Sequence, residues 1–243
     1  MEQDLLKLKE LITNANNIVF FGGAGVSTES GLLDFRSKEG LYNLESKYGL
    51  PYEVMLSHSY YETHKETFYE FYKDFMIKEV KPNACHKYLA KLEHQGKNIT
   101  IITQNIDGLH QEAGSKNVIE LHGSIHRNYC ENCGRFFDLN YIKNSKGVPK
   151  CPYCHNDIKP DVVLYEEGLD ERVMTKAMIA LSSADLLIVA GTSLKVYPAA
   201  AFINYFYGDN IVVINKEKLD LNRKVALVLE TPIAQTFDAI DKI

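Results

Sequence analysis

Four cysteines in two Cys-x-x-Cys units, Cys130 with Cys133 and Cys151 with Cys154, have the residue type and spacing that most directly define a chemistry in this 243-residue sequence. The units are separated by 17 residues, inside the window of four-cysteine zinc ribbons. Each unit turns two thiolates onto one cation, and two such turns complete a tetrahedron with no position left for water, so the expected zinc is structural. Such a metal contributes on the order of 10 kcal/mol to folding, which matters for a segment with few apolar residues of its own. A pair of redox-active units is the alternative, but neither stands at the strand-to-helix position of thioredoxin-like motifs. His126 and His155 lie close enough in sequence to be alternative ligands, and four cysteines make them unnecessary. Cys85, beside His86 at the head of an expected helix, is read as a packing residue, because adjacent helical side chains do not face each other.

A second chemistry is spread over several short segments. Gly23-Ala24-Gly25 follows the apolar run Ile18 to Phe21, and glycines there let the backbone approach a pyrophosphate while free N–H groups point at the anion. A dinucleotide fingerprint wants a small residue at position 28, which is Thr28, and an acid ending a second strand, which the region from Gly40 to Glu45 lacks. The ordinary dehydrogenase reading is weakened accordingly. The chain continues instead through Glu29 to Asp34-Phe35-Arg36, an acid, an aromatic and a guanidinium on an expected loop. The arginine suits a phosphate, and the aromatic could shield a reactive sugar from water. Further polar groups end other expected strands: Thr103-Gln104-Asn105-Ile106-Asp107, then Glu120-Leu121-His122-Gly123, then Gly191-Thr192-Ser193. In an open parallel sheet ligands collect beyond the carboxyl ends of strands, so these groups should share one crevice, where a carboxylate can accept from a carboxamide. Taken singly, Asn105 and Asp107 could be turn formers, His122 a loop histidine and Gly191 to Ser193 a helix cap.

The elements that must hold these residues are legible as periodicities. Leu5, Leu8, Leu11 and Ile12 mark a helical face. Buried strands are expected at Ile18 to Phe21, Ile99 to Thr103, Asp185 to Ala190, Ile211 to Ile214 and Val225 to Leu229, with helices such as Ala84 to His94 and Glu171 to Leu181 between some of them. That alternation predicts an α/β fold, a parallel sheet covered on both faces. Two stretches interrupt it. One, from about Ser37 to Lys81, is rich in tyrosine and phenylalanine and reads as helices packing aromatics, with an aromatic wall beside a ligand channel as the sharper alternative. The other, Ser124 to Lys159, carries the cysteines and a turn at Asn144 to Pro149.

Composition is that of an ordinary globular protein, 45% hydrophobic and 24% charged. With 27 basic against 32 acidic residues the net charge is -5, which gives no general attraction to nucleic acid or an anionic membrane. No apolar run approaches the roughly 18 residues of a membrane helix, and the first eleven residues alternate charge with leucine; an untargeted cytoplasmic protein is expected, with its thiols on metal and not in disulfides.

Taken in order, these motifs resemble the sirtuin family of NAD-dependent protein deacylases, over roughly Ile18 to Asn215. Gly23 to Arg36 is similar to the family's Gly-Ala-Gly-x-Ser-x-x-Ser-Gly-Ile-Pro-Asp-Phe-Arg, and Thr103 to His110 to its Thr-Gln-Asn-Ile-Asp-Gly-Leu-His. Leu121-His122-Gly123, the paired cysteines, Lys159 to Val163, Gly191 to Ala199 and Ile214-Asn215 come after these in the family's order. The resemblance implies a Rossmann-like NAD-binding domain formed by residues 1–36, 82–123 and 160–243. It also implies a small module formed by a helical insertion at 37–81 and a zinc-ribbon insertion at 124–159. NAD and an acyl-lysine peptide would lie in the cleft between them. By the same resemblance Gly23, Ala24, Gly25, Gly191, Thr192, Ser193 and Asn215 would serve the phosphates and adenosine part, and Gln104 the ribose. Asn105, Ile106 and Asp107 would form the nicotinamide pocket, with Glu29, Asp34, Phe35 and Arg36 in the loop over the nicotinamide ribose. His122 would be the general base, taking a proton from that ribose after the acyl oxygen has attacked its anomeric carbon. Val162, Val163, Leu164 and Tyr165 would offer strand edge to the peptide. The implied activity is a protein-lysine deacetylase releasing nicotinamide and O-acetyl-ADP-ribose, working as a monomer on acetyl-lysine proteins or peptides. The alternatives are a protein ADP-ribosyltransferase and a non-catalytic NAD or ADP-ribose sensor.

Three positions depart from the family pattern. Leu33 stands for a proline, which removes a fixed φ from the cofactor loop. Tyr165-Glu166-Glu167 replaces Phe-Gly-Glu, placing an acid beside the peptide, where it could favour basic flanks. The Tyr-x-x-Arg of the acidic-acyl subclass is matched by Tyr72 with Phe75 at the arginine position. A succinyl carboxylate would then lack its bidentate partner, so an uncharged acyl group is expected.

Overall fold

The computed structural model describes residues 2–33, 47–219 and 221–243. Asp34, Phe35 and Arg36 of the expected cofactor loop lie outside the described residues, as does the start of the aromatic-rich insertion. Six strands, β1 (Asn17–Gly22), β2 (Asn98–Thr103), β3 (Val118–Glu120), β7 (Leu186–Ala190), β8 (Asn210–Ile214) and β9 (Leu227–Leu229), form one sheet in the order β3-β2-β1-β7-β8-β9. All its pairings are parallel. The order reverses between β1 and β7, the point at which a doubly wound sheet opens a crevice at its carboxyl edge. β4 (Gly123–Cys130), β5 (Phe136–Phe137) and β6 (Ile158–Val162) form a separate antiparallel sheet in the order β5-β4-β6.

Nine α-helices are described: α1 (Glu2–Asn14), α2 (Tyr52–Met55), α3 (His58–Thr63), α4 (Lys65–Phe71), α5 (Ala84–His94), α6 (Leu109–Glu112), α7 (Leu139–Asn144), α8 (Glu171–Ser183) and α9 (Ile233–Asp241). Strand side chains alternate faces, so Ile18 and Phe20 of β1 meet Leu8 and Ile12 of α1, Leu89 of α5 and Phe237 of α9. Val19 and Phe21 meet Ala177 and Leu181 of α8 and Phe202 of the 3-10 turn Ala199–Tyr205. Burial on both faces explains why these strands read as continuous apolar runs. Each fully buried Phe or Leu contributes roughly 1.5–3 kcal/mol.

Among the elements not legible as periodicities, β3 is too short to show one, β4 is partly polar, and α9 comes after a Thr231-Pro232 step in a segment with no expected helix. In the aromatic-rich segment Tyr61, Phe68, Tyr69 and Tyr72 are fully buried and cluster with Ile125, Ile142 and Ile158 of the cysteine module. Among the described residues these aromatics are core, not a channel wall. A π-turn at Tyr72–Met76 sends Tyr72 into that core, while Phe75 stacks on Phe71 in a neighbouring cluster. Tyr72 and Phe75 therefore do not line one pocket, and the expected Tyr-x-x-Phe comparison does not describe a shared site.

Candidate active site and metal centre

The glycines after β1 serve contact between two loops. Gly23 donates to Ala190 O at 3.1 Å and Gly25 to Gly191 O at 2.8 Å. A Cβ on Gly23 would lie 2.8 Å from Gly191 O, and one on Gly25 2.7 Å from Gly191 Cα. Gly191 itself holds a φ of 59°, a left-handed conformation that glycine adopts without steric cost. Two short 3-10 turns, Ala24–Val26 and Thr28–Ser30, follow them, so the segment expected to present free N–H groups is a pair of turns. Glu29, expected in the cofactor set, accepts a 2.6 Å hydrogen bond from the Ala234 N–H at the start of α9.

At the carboxyl end of β2 the polar groups interlock with both flanking loops. The Gln104 amide Nε2 donates to Thr192 Oγ1 at 3.0 Å, joining the loops after β2 and β7. The expected carboxamide-to-carboxylate bond between Asn105 and Asp107 runs through a third residue. Asn105 Nδ2 donates to Ser27 Oγ at 3.1 Å, and Ser27 Oγ donates to Asp107 Oδ2 at 2.7 Å. Asp107 Oδ1 accepts from Leu109 N at 2.9 Å, which turns the chain into α6. Burial pushes the Asp107 carboxyl above its ordinary value, opposed by the Leu109 N–H and the Ser27 hydroxyl. Ser27 is buried, and its signal in the sequence was the serine of the Gly-Ala-Gly-x-Ser resemblance.

His122 stands between β3 and β4, beneath the same edge. Its Nδ1 lies 2.8 Å from Gln104 O. A carbonyl only accepts, so Nδ1 carries the proton and Nε2 is the basic nitrogen. Burial lowers the His122 pKa, opposed by the bond to Gln104, which keeps the ring neutral near pH 7. Gly123 comes next with φ 76°, where a Cβ would lie 1.9 Å from Asp161 O. Ser193 lies on the loop after β7. Asn215, past β8, donates its backbone N–H to Leu229 O at 3.0 Å and its amide to Glu217 O at 2.7 Å.

The expected peptide edge differs from a strand. β6 ends at Val162, and the next three N–H groups are already used: Val163 to His122 O at 3.0 Å, Leu164 to Glu167 Oε2 at 2.8 Å and Tyr165 to Leu56 O at 2.9 Å. Sheet addition through the N–H groups of Val163 to Tyr165 would need these bonds broken. Glu166 holds a φ of 77°, and its carboxylate accepts from Ser59 N at 2.9 Å and Ser59 Oγ at 3.0 Å, at the start of α3. These bonds orient the carboxylate toward the start of α3.

The four cysteine sulfurs lie within 4.8 Å of one another, with Cys130 and Cys154 at 3.3 Å and Cys133 and Cys151 at 3.7 Å. Zinc with about 2.3 Å bonds to four sulfurs at tetrahedral angles sets them about 3.8 Å apart, so the donors fit that ion. Gly134 N bonds to Cys130 O and His155 N to Cys151 O, both at 2.9 Å, forming the two turns that aim the thiols inward. The Asn156 N–H, with Cys130 behind it, pushes the Cys154 thiol down to about 6. Neither His126 nor His155 belongs to the cluster.

A family model described as Sir2 family matches residues 23–198. An NAD-dependent protein deacetylase of Clostridium acetobutylicum is 54% identical over 236 residues, covering 96% of both chains. One of Clostridium tetani is 56% identical over 235 residues, covering 96% of this chain and 95% of the other. Among solved structures, a Sir2 with p53 peptide and NAD+ is 34% identical with a TM-score of 0.85, covering 97% of this chain and 96% of that one. A Sir2 bound to acetylated peptide is 32% identical with a TM-score of 0.84, covering 98% and 97%.

Proposed function

Since the chain belongs to the Sir2 family, we propose that it is an NAD-dependent protein-lysine deacetylase in which His122 is the general base. The observation that carries this is the 2.8 Å bond from His122 Nδ1 to Gln104 O, which fixes the tautomer with Nε2 ready to take a proton from a hydroxyl. NAD, when bound, would supply an electrophilic sugar carbon for the acyl oxygen, and with one water consumed the products are free lysine, nicotinamide and O-acetyl-ADP-ribose. Gly23, Ala24 and Gly25 bring backbone to the phosphates at the switch point of the sheet, together with Gly191, Thr192 and Ser193. Gln104 and Asn215 flank the ribose and adenosine parts. Asn105, Ile106 and Asp107 shape the nicotinamide pocket, with the Ser27 hydroxyl holding the two polar side chains in register. The motif assigns Asp34, Phe35 and Arg36 the role of shielding the sugar from water. Zinc on Cys130, Cys133, Cys151 and Cys154 supplies structure alone, having no open coordination position.

The peptide lies along Val162 to Tyr165, meeting side chains and carbonyls there, since the N–H groups of Val163 to Tyr165 are engaged within the chain. The dinucleotide domain comprises 1–36, 82–123 and 160–243, and the small module 37–81 and 124–159; the two separate sheets support that division. No helix among the described residues is long and apolar enough to cross a membrane. We place the protein in the cytoplasm, where thiols stay reduced, and take one chain as the working unit. The test is mass spectrometry of an acetyl-lysine peptide incubated with and without NAD. Loss of about 42 Da, one acetyl group exchanged for hydrogen, only with NAD and together with O-acetyl-ADP-ribose, is expected; labelled NAD appearing on protein instead would replace this reading with ADP-ribosyl transfer.

A further inference from the structure

The antiparallel sheet of the cysteine module contains an irregularity aimed at the dinucleotide sheet. Ser124 of β4 faces Asp161 of β6, while Asn128 faces the adjacent Pro160, so residues 125 to 127 are looped out of the ladder. Bulges of this kind re-aim side chains. Asn128, fully buried, shapes the loop by donating to Ile125 O at 3.1 Å and Phe137 O at 3.3 Å. Each looped-out residue then reaches across. Ile125 N donates to Ile106 O at 3.0 Å. His126 Nε2 donates to Asp107 O at 2.9 Å, the direction being set by the carbonyl. Arg127 donates from Nε to Asp161 Oδ2 at 2.7 Å and from Nη1 to Glu120 Oε2 at 2.6 Å, bracketing the His122–Gly123 link from both sides.

The His126 ring also lies close against Gly108. A Cβ there would come 2.6 Å from its Cδ2 and 2.7 Å from its Nε2, and Gly108 holds a φ of 73°. The turn Ile106–Gly108 is thus gripped by two consecutive residues of the cysteine module, while its Asp107 carboxylate is held from the other side by Ser27. Removing the Ile125 and His126 grip leaves the turn attached to the dinucleotide sheet alone.

We propose that the looped-out segment Ile125–Arg127 is the bracket through which the cysteine module positions the Ile106–Gly108 turn, with His126 as a positioning residue for the nicotinamide pocket. This rests on the deacetylase reading for its kinetic consequence, not for its structural one. His126 stands outside the four-thiol cluster, in keeping with its reading in sequence as an unnecessary alternative ligand.

Three variants separate hydrogen bonding from packing. His126→Gln keeps an amide donor at similar reach, His126→Phe keeps the ring without the donor, and His126→Ala keeps neither. In the ligand-free, zinc-loaded protein, amide hydrogen exchange at Ile125 and Leu109 should accelerate about fivefold in the Ala and Phe variants and stay near wild type in the Gln variant, with zinc content unchanged. With acetyl-lysine peptide, KM for NAD and the nicotinamide concentration for half inhibition should both rise about fivefold in Ala and Phe, while kcat changes less. Unchanged exchange in His126→Ala, or a Gln variant as impaired as Ala, overturns the bracket. A wild-type protein that fails to consume NAD would overturn the deacetylase reading while the exchange measurements still decide the role of His126.

Discussion

Replacing Ser27 by alanine removes one hydroxyl that two buried polar groups depend on. Asp107 Oδ2 loses a 2.7 Å donor and Asn105 Nδ2 loses a 3.1 Å acceptor, and Ser27 is 1% exposed, so water cannot readily substitute. A hydrogen bond to a charged group contributes about 1.5–3 kcal/mol and a neutral one about 0.5–1.5. Allowing for partial rearrangement, a loss of about 2–3 kcal/mol is expected at neutral pH, which for a chain of this size lowers Tm by about 5–10 °C. The pH dependence sharpens the test. Asp107 is already raised by burial, with the Leu109 N–H and the Ser27 hydroxyl opposing; without Ser27 it rises further. A carboxyl whose folded pKa exceeds its unfolded value favours the folded state below the unfolded pKa and loses that contribution as pH rises through the folded value. The penalty in Ser27→Ala is therefore full at neutral pH and shrinks as pH falls toward 3.8, its unperturbed value. Differential scanning calorimetry of both proteins between about pH 4 and 8, with kcat/KM profiles alongside, reads this directly. The acid limb of kcat/KM should move to higher pH. A destabilisation that is below about 0.5 kcal/mol, or the same at every pH, would show that Ser27 does not hold the Asp107 carboxylate.

Other groups carry expectations of their own. His122→Ala should reduce turnover by about 10²–10⁴ while calorimetric NAD affinity is largely kept; unchanged turnover would assign the proton transfer elsewhere. Native protein should carry about one zinc per chain, and Cys151→Ser or prolonged chelation should yield unfolded protein by far-UV circular dichroism; full folding without metal would contradict a structural ion. Burial holds His86 down at about 4 and lowers His110 and His122 as well. Their neutral forms stabilise the fold above about 6.5, and this is lost as pH falls toward the folded values, about 3 kcal/mol for His86 alone. A Tm flat between pH 6.5 and 4 would contradict it. Glu166→Ala keeps a left-handed residue that costs about 1–2 kcal/mol and loses both Ser59 bonds, whereas Glu166→Gly loses the bonds but relieves the strain. Thermal melts should rank wild type and Gly above Ala, and the reverse order would remove the strain argument.

The apolar runs at Ile18 to Phe21 and Ile211 to Ile214 announced buried parallel strands, because a strand covered on both faces has no polar side to show. The cysteine spacing announced its metal for a similar reason: two local turns suffice to make the ligand pairs, whatever surrounds them. Local pattern also placed His122 and Asp107 beyond strand ends. It said nothing of α9 or β4, whose stability comes from contacts with distant residues, nor of the N–H groups of Val163 to Tyr165 being already engaged.

By itself the amino-acid order determined the sheet, the thiol cluster and the polar groups at the carboxyl edge, since each depends on neighbours a few residues away. Only the tertiary structure decided which tautomer His122 adopts, that Ser27 joins Asn105 to Asp107, and that His126 faces a backbone carbonyl and not a cation. Those outcomes are hydrogen bonds between residues 18 to 80 positions apart. The geometry that selects them exists once two sheets have packed and left each buried donor a single acceptor within reach.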